Sequence, residues 1–526
     1  MTPVHNNTFS GKDAILKFYD PDCNPANASI EIPNHPFEED GVHIYAKMLT
    51  FLPAANVKSL PALNMLQKAK EAGKLDASTS IVEYSSGSTI MSLAILSRIM
   101  GLKSAIAYVS NKTTKHKLNL LRFFGLETKL FAGPGQPSPQ DQNGGIFRAF
   151  VDGQTGNNFN PSQYLNANDF LLNNRVCKLQ NYHAHQRWTG PQIVQQLPKI
   201  SVFSTGMGTT GTMTGTGLYL KEYNSKIVNV GVCTAPGDLV HGPRNLSLVG
   251  DIPFPWQQAV DVLEDASAFE SFAASLDLCR NGLLGGPSSG LARVGLFKFL
   301  ERTKVEGGLD RLRADDGSIY CVFTCCDLPY QYVDEYFQIL GESYFPPVHE
   351  EELLHVDRYP YQSEWELPAG VVLSKILACM YNEDKGGSDN PSESRWDTNS
   401  RDRPCKNIVI LDLRAGSDFE KRHFPAAISL DIGIDDKTPN PFLDTPTMVR
   451  IWTTLDQRLS HEDVLFSEKK MNENVVIVFC YDGNTSRIAT SILRHRGVEA
   501  YSCTRGIGTC WELLNCFHSS CQERQD

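Results

Sequence analysis

From about residue 56 the chain alternates short apolar runs with stretches of helical period. "NVKSLPALNMLQKAKEAGKL" reads as a helix with Pro61 in its first turn, where a missing N–H costs nothing. "SIVEY" follows as a strand, "TIMSLAILSRIMG" as a buried helix, "SAIAYV" as a strand, "TKHKLNLLRFFG" as a helix and "ETKLFA" as a strand. A second round has "ISVFST" and "KIVNVGVC" as strands around the helix "GTGLYLKEY". Apolar strands of this length separated by helices predict parallel sheets covered on both faces, an α/β fold class. The stretch from about Gly133 to Asn174 is rich in Gly, Asn, Gln and Pro and reads as an irregular insertion between lobes.

The pattern lapses between Asn382 and Arg403, where Gly, Ser, Asp and Asn replace the apolar residues a core requires. Beyond this linker, "NIVILDLR" and "NVVIVFC" are two more strands, each followed by a turn or helix. The expected division is therefore a large domain over 1–381, a flexible linker over 382–403 and a smaller α/β domain over 404–526.

Length and composition fit this division. At 526 residues, with 41% hydrophobic and 21% charged side chains, the chain can build more than one large core. No apolar run approaches the roughly 18 residues of a membrane span, and the start has neither a signal-peptide core nor Arg-rich transit character. A formal net charge of -11 argues against nucleic acid as the main partner. The fourteen cysteines include no CxxC pair, so no metal site is expected and the thiols are read as reduced. The expected location is the cytoplasm, with the mitochondrion also open.

Two loops enter helices in a way that suits anions. "SSGST", Ser85 to Thr89, ends a strand and begins a helix, where free N–H groups and the positive end of the dipole can hold an anion. "STGMGTTGTMTGTGLYLKE" carries five glycines among threonines, so successive N–H groups can converge on phosphate oxygens. It lacks GxxxxGK[ST], which disfavours a nucleotide P-loop. In order, "NVKSLPALN", "SSGST", "HQRWTGPQI", Gly208, Thr209, Thr210, Gly211 and Thr212 with "MTGTGLYLK", and "LLGGPSSGLA" resemble the motifs of the cysteine synthase / cystathionine β-synthase family. The resemblance spans about residues 40 to 340. It implies a fold type II pyridoxal 5'-phosphate (PLP) enzyme of two doubly wound α/β lobes, acting as a homodimer on a small amino-acid substrate.

Under that resemblance Lys58 would be the Schiff-base lysine and the mover of the substrate's α-proton. Gly208, Thr209, Thr210, Gly211 and Thr212 would hold the cofactor phosphate, and Ser85, Ser86, Gly87 and Thr89 the substrate carboxylate. The chain departs from the family at several points. Ser88 replaces the asparagine that contacts the cofactor's 3-hydroxyl. The Gln-x-x-Asn-Pro pattern is altered, and Arg175 stands near the place of a substrate-contacting glutamine. That arginine would bind a second carboxylate bidentately or pair with a surface acid. Against the pyridine nitrogen, "FTCCDLPYQY" offers Cys326 or Asp327. A thiol would leave the nitrogen largely neutral, whereas a carboxylate would favour a pyridinium.

In the smaller domain Cys480 ends an apolar strand and enters a polar loop before a helix, a setting that lowers a thiol's pKa and can cradle a persulfide. The loop "CYDGNTSR" (Cys480, Tyr481, Asp482, Gly483, Asn484, Thr485, Ser486, Arg487) resembles the rhodanese (sulfurtransferase) loop C-x-x-G-x-x-S. "ILDLRAGSDFEKRHFPAAISL" and "LRHRGVEAYSCTRGIGTCW" resemble its flanks. The resemblance implies that Cys480 takes a sulfane sulfur from a donor and passes it to an acceptor. Asp482 is a departure that would repel a dianionic donor, and Asp412 and Arg414 read as structural. Together the two resemblances imply PLP-dependent β-replacement or β-elimination on serine, an activated serine or cysteine, coupled to persulfide transfer. The alternatives are PLP chemistry with a non-sulfur nucleophile, dehydratase or ammonia-lyase chemistry, and a non-catalytic scaffold bearing a rhodanese domain.

Overall fold

The computed structural model describes residues 8–85, 87–133, 135–139, 141–164, 180–383, 408–460 and 473–522. The chain forms two compact units, Met1–Pro346 and Pro347–Asp526. In the first unit, β1 (Ser29–Glu31), β2 (Val42–Met48), β7 (Ile200–Gly206), β8 (Val228–Thr234), β9 (Val262–Ala266) and β10 (Ile319–Cys325) make one sheet in the order β1-β2-β10-β7-β8-β9. Only β1 runs antiparallel to its neighbour. A second, parallel sheet has the order β5-β4-β3-β6, from β3 (Ser80–Tyr84), β4 (Ser104–Ser110), β5 (Glu127–Phe131) and β6 (Asn158–Phe159).

Both sheets are covered on both faces, as the apolar runs require. All five residues of β3 are buried. One face of its sheet packs on the helices Ser59–Glu71 and Ser88–Ile99 through Leu63, Leu66, Leu93 and Leu96. Val82, Tyr84 and Ile106 share a cluster with Phe203, Met207 and Met213 of the larger lobe. In parallel sheets the strand C-termini open toward one edge, where binding loops collect. Here the ends of β3, β7 and β10 carry the serine loop, the glycine loop and the Cys325–Asp327 segment.

The insertion read as irregular contains regular structure. Gly145–Asp152 is a helix that buries Ile146 and Ala149, and Asn158–Phe159 adds an edge strand to β3. Each piece is too short to announce itself by period alone.

The second unit is a five-stranded parallel sheet, β11-β15-β14-β12-β13, formed by β11 (Glu366–Leu367), β12 (Ile408–Asp412), β13 (Ile428–Ser429), β14 (Val475–Phe479) and β15 (Glu499–Cys503). It begins at Pro347, well before the expected boundary at 381. Glu366 and Leu367 pair with Ser502 and Cys503 and cover the edge of β15, and helix Ala369–Glu383 buries Val372 and Ile376 against Ile477 and Cys510. An exposed edge strand is a liability, and composition alone does not show which upstream residues cover it. Most of the expected linker, 384–403, lies outside the described residues.

Asp412 and Arg414 form a buried pair in this unit, with Nε 3.0 Å from Oδ1 and Nη2 2.7 Å from Oδ2. Replacing Asp412 with alanine strands the guanidinium in the core. The expected cost is about 3 kcal/mol, read as an earlier midpoint in urea denaturation of the full chain.

Candidate functional site

Lys58 is fixed by its main chain. Its N–H donates to Asn56 Oδ1 at 2.9 Å, and its carbonyl accepts from Ala62 in the first turn of helix Ser59–Glu71. Asn56 bridges to Asp327, and the Val57 N–H donates to the Cys326 carbonyl at 2.7 Å. The lysine is thus pinned beside the end of β10. Asn56 Oδ1 also accepts from Ser92 Oγ at 3.1 Å, which ties the same point to the helix behind the serine loop. Burial lowers the Lys58 pKa, and the negative forms of Cys326 and Asp327 partly offset this. A lowered pKa enlarges the neutral, nucleophilic fraction of the amine.

Of the two candidates for the ring nitrogen, Cys326 is the less encumbered. Its thiol lies 3.4 Å from Thr324 Oγ1, its N–H donates to Ser289 Oγ, and burial pushes it up to about 11, so it stays neutral. Asp327 accepts at Oδ2 from Tyr332 (2.6 Å) and Gln331 (3.1 Å). Its Oδ1 is buried without a hydrogen-bond partner among the described residues and faces Gly286, where an added Cβ would lie 2.4 Å away. Burial raises the Asp327 carboxyl to about 6, against the lowering effect of the Tyr332 bond.

The serine loop opens the helix Ser88–Ile99, whose N-cap Gly87 provides no side-chain cap. Ser85 Oγ accepts from the Gly87 N–H at 3.2 Å, Ser88 is the first helical residue, and Thr89 is buried. Ser86 and Arg175 lie outside the described residues. The glutamine that touches this loop is Gln163. Thr89 Oγ1 donates to its Oε1 at 2.8 Å, and its Nε2 donates to the Tyr84 carbonyl at 3.0 Å. Glu83 holds Gln163 in place by accepting from its N–H and that of Tyr84. Burial raises Glu83 to about 8, although backbone N–H groups favour its charged form.

The glycine loop runs from β7 into helix Gly211–Tyr223, which also lacks a side-chain cap. A Cβ on Gly208 would sit 2.5 Å from the Gly242 carbonyl oxygen, and one on Gly211 2.2 Å from Asn181 Oδ1. Close backbone approach therefore requires glycine at Gly208, whereas a Cβ on Gly211 would have to displace the Asn181 amide. Thr210 stands between them at φ 61°, a left-handed conformation uncommon for a β-branched residue. Thr209 Oγ1 accepts from Asn181 Nδ2 and the Gly211 N–H, and Thr212 Oγ1 lies 3.3 Å from His185 Nε2. His185, the first residue of "HQRWTGPQI", has its Nδ1 2.9 Å from Thr189 Oγ1. Burial, and secondarily the Lys58 charge, push His185 down to about 3, so it is neutral.

These residues fit PLP. The glycine loop and the open helix end would receive its phosphate, Lys58 its aldehyde carbon and Cys326 its ring nitrogen. Gly211→Ala is expected to weaken cofactor binding about tenfold or more, because the new methyl must displace Asn181. Fluorescence titration of the apoprotein with PLP reads this directly.

In the second unit Cys480 ends β14 and is fully buried. Its sulfur accepts from the N–H groups of Gly483 (3.1 Å) and Ser486 (3.3 Å) and lies 3.4 Å from Ser486 Oγ. The expected lowering of its pKa does not result. Burial outweighs these donors and pushes the thiol up to about 11. Asp482 is 3.6 Å from the sulfur and accepts from the Asn484 N–H, so it braces the loop. Thr485 is buried, whereas Tyr481 turns away to donate to Asp418 at 2.7 Å. Arg487 also points elsewhere, pairing with Glu366 at 2.8 Å.

Comparison with known proteins shows the family of each part of the chain. Residues 30–312 match the family described as pyridoxal-phosphate dependent enzyme, and residues 399–508 match the rhodanese-like domain. A probable cysteine synthase of Bacillus subtilis is 29% identical over 54% of this chain and 89% of its own length. Cysteine synthase B of Campylobacter jejuni is 27% identical over 48% and 81%. The crystal structure of O-ureido-L-serine synthase superposes with a TM-score of 0.50 at 19% identity, over 64% of this chain and 98% of that one, a likeness of fold. None of the described helices is long and apolar enough to cross a membrane. The chain belongs to the pyridoxal-phosphate dependent enzyme family and carries a C-terminal rhodanese-like domain.

Proposed function

We propose that this enzyme performs β-replacement on an activated serine, with sulfur that its rhodanese-like domain supplies from a persulfide. The observation that carries the reading is Lys58, held by Asn56 and Val57 beside Cys326, with its amine driven toward the neutral form. PLP, when bound, supplies the electron sink that makes an amino acid's α-proton acidic. Lys58 Nζ then takes that proton from the substrate's α-carbon and returns it after the β-substituent has been exchanged. The open N-terminus of helix Ser88–Ile99 holds the substrate carboxylate, with Gln163 bracing Thr89. Cys326 would stand against the ring nitrogen, since Asp327 Oδ2 is engaged by Gln331 and Tyr332 and its Oδ1 faces Gly286. Its neutral thiol would not favour protonation there, which suits loss of a β-substituent.

In the second domain the Cys480 thiolate attacks the outer sulfur of a low-molecular-weight persulfide. The donor's S–S bond breaks, the donor leaves as a thiol, and Cys480 carries the persulfide. Two thiol molecules then reduce it to the free cysteine, releasing hydrogen sulfide and one disulfide. Placing both sites on one chain raises the local sulfide concentration. Holoenzyme given O-acetyl-L-serine is expected to form cysteine with sodium sulfide, and also with glutathione persulfide plus glutathione. Failure with both sulfur sources contradicts the reading; success with sulfide alone contradicts the coupling.

A further inference from the structure

We infer that Cys503 and Cys510 are a reversible disulfide site, and that closing it shuts off sulfur transfer at Cys480. This rests on the reading of the second domain as a sulfurtransferase. Cys503 ends β15, and Cys510 lies near the start of helix Ile507–Gln522. Their sulfurs are 3.6 Å apart, and both side chains are buried. Cys503 Sγ also lies 3.5 Å from the Gly506 carbonyl oxygen. The contact from Cys510 lowers the Cys503 pKa against the effect of burial, and the same contact raises that of Cys510. One sulfur is thus poised as the nucleophile and the other as the thiol that resolves it.

Neither thiol serves Cys480 directly. The register of β14 and β15 sets Cys503 beside Phe479 in the core on one face of the sheet, whereas Cys480 belongs to the core on the other. The link runs through the turn at residues 504–506. The Ile507 N–H donates to the Cys480 carbonyl at 3.0 Å, and Gly506 packs on the Tyr481 carbonyl too closely to admit a Cβ. Gly483, whose N–H donates to Cys480 Sγ, packs on the backbone of Cys503 and Arg505. Arg505 is itself held in a left-handed conformation, at φ 61°. Joining the two sulfurs shortens a non-bonded contact to a bond, and the turn between them has to move. It cannot do so without shifting the Cys480 carbonyl and the loop that holds its sulfur.

Thr504, Arg505 and Gly508 are exposed, so the pair lies just beneath the surface, within reach of a small peroxide. The Cys503 thiolate attacks one oxygen of hydrogen peroxide. The O–O bond breaks, and hydroxide leaves as water with the proton that Cys503 gave up. The Cys510 sulfur then attacks the sulfenic sulfur of Cys503, the S–O bond breaks, and a second water carries away the Cys510 proton. Two thiols are oxidised to one disulfide, and one peroxide is reduced to two waters. An added dithiol reverses the bridge by exchange.

The test exposes the reduced full chain to hydrogen peroxide, removes the excess with catalase, and reads two rates before and after. One is alkylation of Cys480 by iodoacetamide; the other is initial release of hydrogen sulfide from glutathione persulfide with glutathione. Trypsin cleaves after Arg505 and so separates the two cysteines, and a linked peptide pair with the bridge at Cys503 and Cys510 is expected. Both rates should fall at least about tenfold and return with dithiothreitol. Cys510→Ala exposed to peroxide in the same way should keep both within about twofold of its starting values. Absence of the linked pair, or a linked protein whose rates are unchanged or faster, overturns the assignment. Equal losses in wild type and Cys510→Ala also overturn it, because the oxidation then falls on Cys480 itself. Should Cys510→Ala fail to fold, Cys503→Ala is the same control. Reduced wild type that releases no sulfide contradicts the sulfurtransferase reading, and the alkylation ratio then decides the disulfide's effect alone.

Discussion

Lys58→Ala is expected to yield a folded protein that remains colourless after incubation with PLP and dialysis. Its turnover should fall by roughly 10³-fold or more, the scale lost when a positioned proton-transfer group is removed. The fold should survive because the bonds that anchor Lys58 belong to its main chain, the N–H to Asn56 Oδ1 and the carbonyl to Ala62. The side chain, by contrast, brings an amine that stands beside Cys326 and Asp327 and is biased toward neutrality by burial. Circular dichroism checks the fold, and the visible spectrum checks retention of the cofactor. Partial rescue of turnover by an added small amine would mark the loss as chemical. A variant that keeps both colour and rate would remove Lys58 from the mechanism.

Cys480→Ser should abolish transfer of sulfur from glutathione persulfide, by about 10²-fold or more. Cysteine formation from sodium sulfide should continue, since Lys58 and its loops belong to a different compact unit. A serine hydroxyl can still accept from the Gly483 and Ser486 N–H groups, so the loop has no reason to unfold. The pH dependence follows from the sign of the shift. Burial places the thiol at about 11, so its thiolate fraction is small at neutrality and rises about tenfold per pH unit below that value. Alkylation of Cys480, followed by peptide mass spectrometry, should accelerate accordingly between about pH 7 and 9. A flat profile would mean that the loop's N–H groups prevail over burial. Undiminished transfer in Cys480→Ser would assign the sulfur to another thiol, such as the buried Cys503 or Cys510.

The placing of the candidate loops was legible where one short segment supplies both the strand end and the helix start. The serine loop, the glycine loop and the Cys480 loop each follow an apolar strand and enter a helix, and each occupies that position in the fold. Lys58 was visible for the same reason, just ahead of a helix whose first turn holds Pro61. What escaped was assembled from distant pieces. Gln163 lies in a stretch without period, 74 residues from its partner Thr89. Asn181 gains its place only when the segment ahead of β7 folds onto the glycine loop. His185 was within a quoted motif, but its neutrality is a matter of burial, which spacing does not report. The boundary at Pro347 was hidden likewise, since two residues of β11 are too few to read as a strand before β15 exists to pair with them.

These cases share a physical cause. Local capping and turn chemistry are written in neighbouring residues. Desolvation, and contacts between segments remote in sequence, depend on the whole packed unit. That is also why Cys480 differs from its expectation: the same loop supplies the donors that lower its pKa and the burial that raises it, and the second is larger.

The most direct test of the central claim is the visible spectrum of the purified, PLP-loaded protein before and after O-acetyl-L-serine is added. The account expects a yellow protein whose absorption shifts on addition and returns when sulfide is supplied, with cysteine as product. A protein that binds no PLP, or whose spectrum is indifferent to the amino acid, would contradict it.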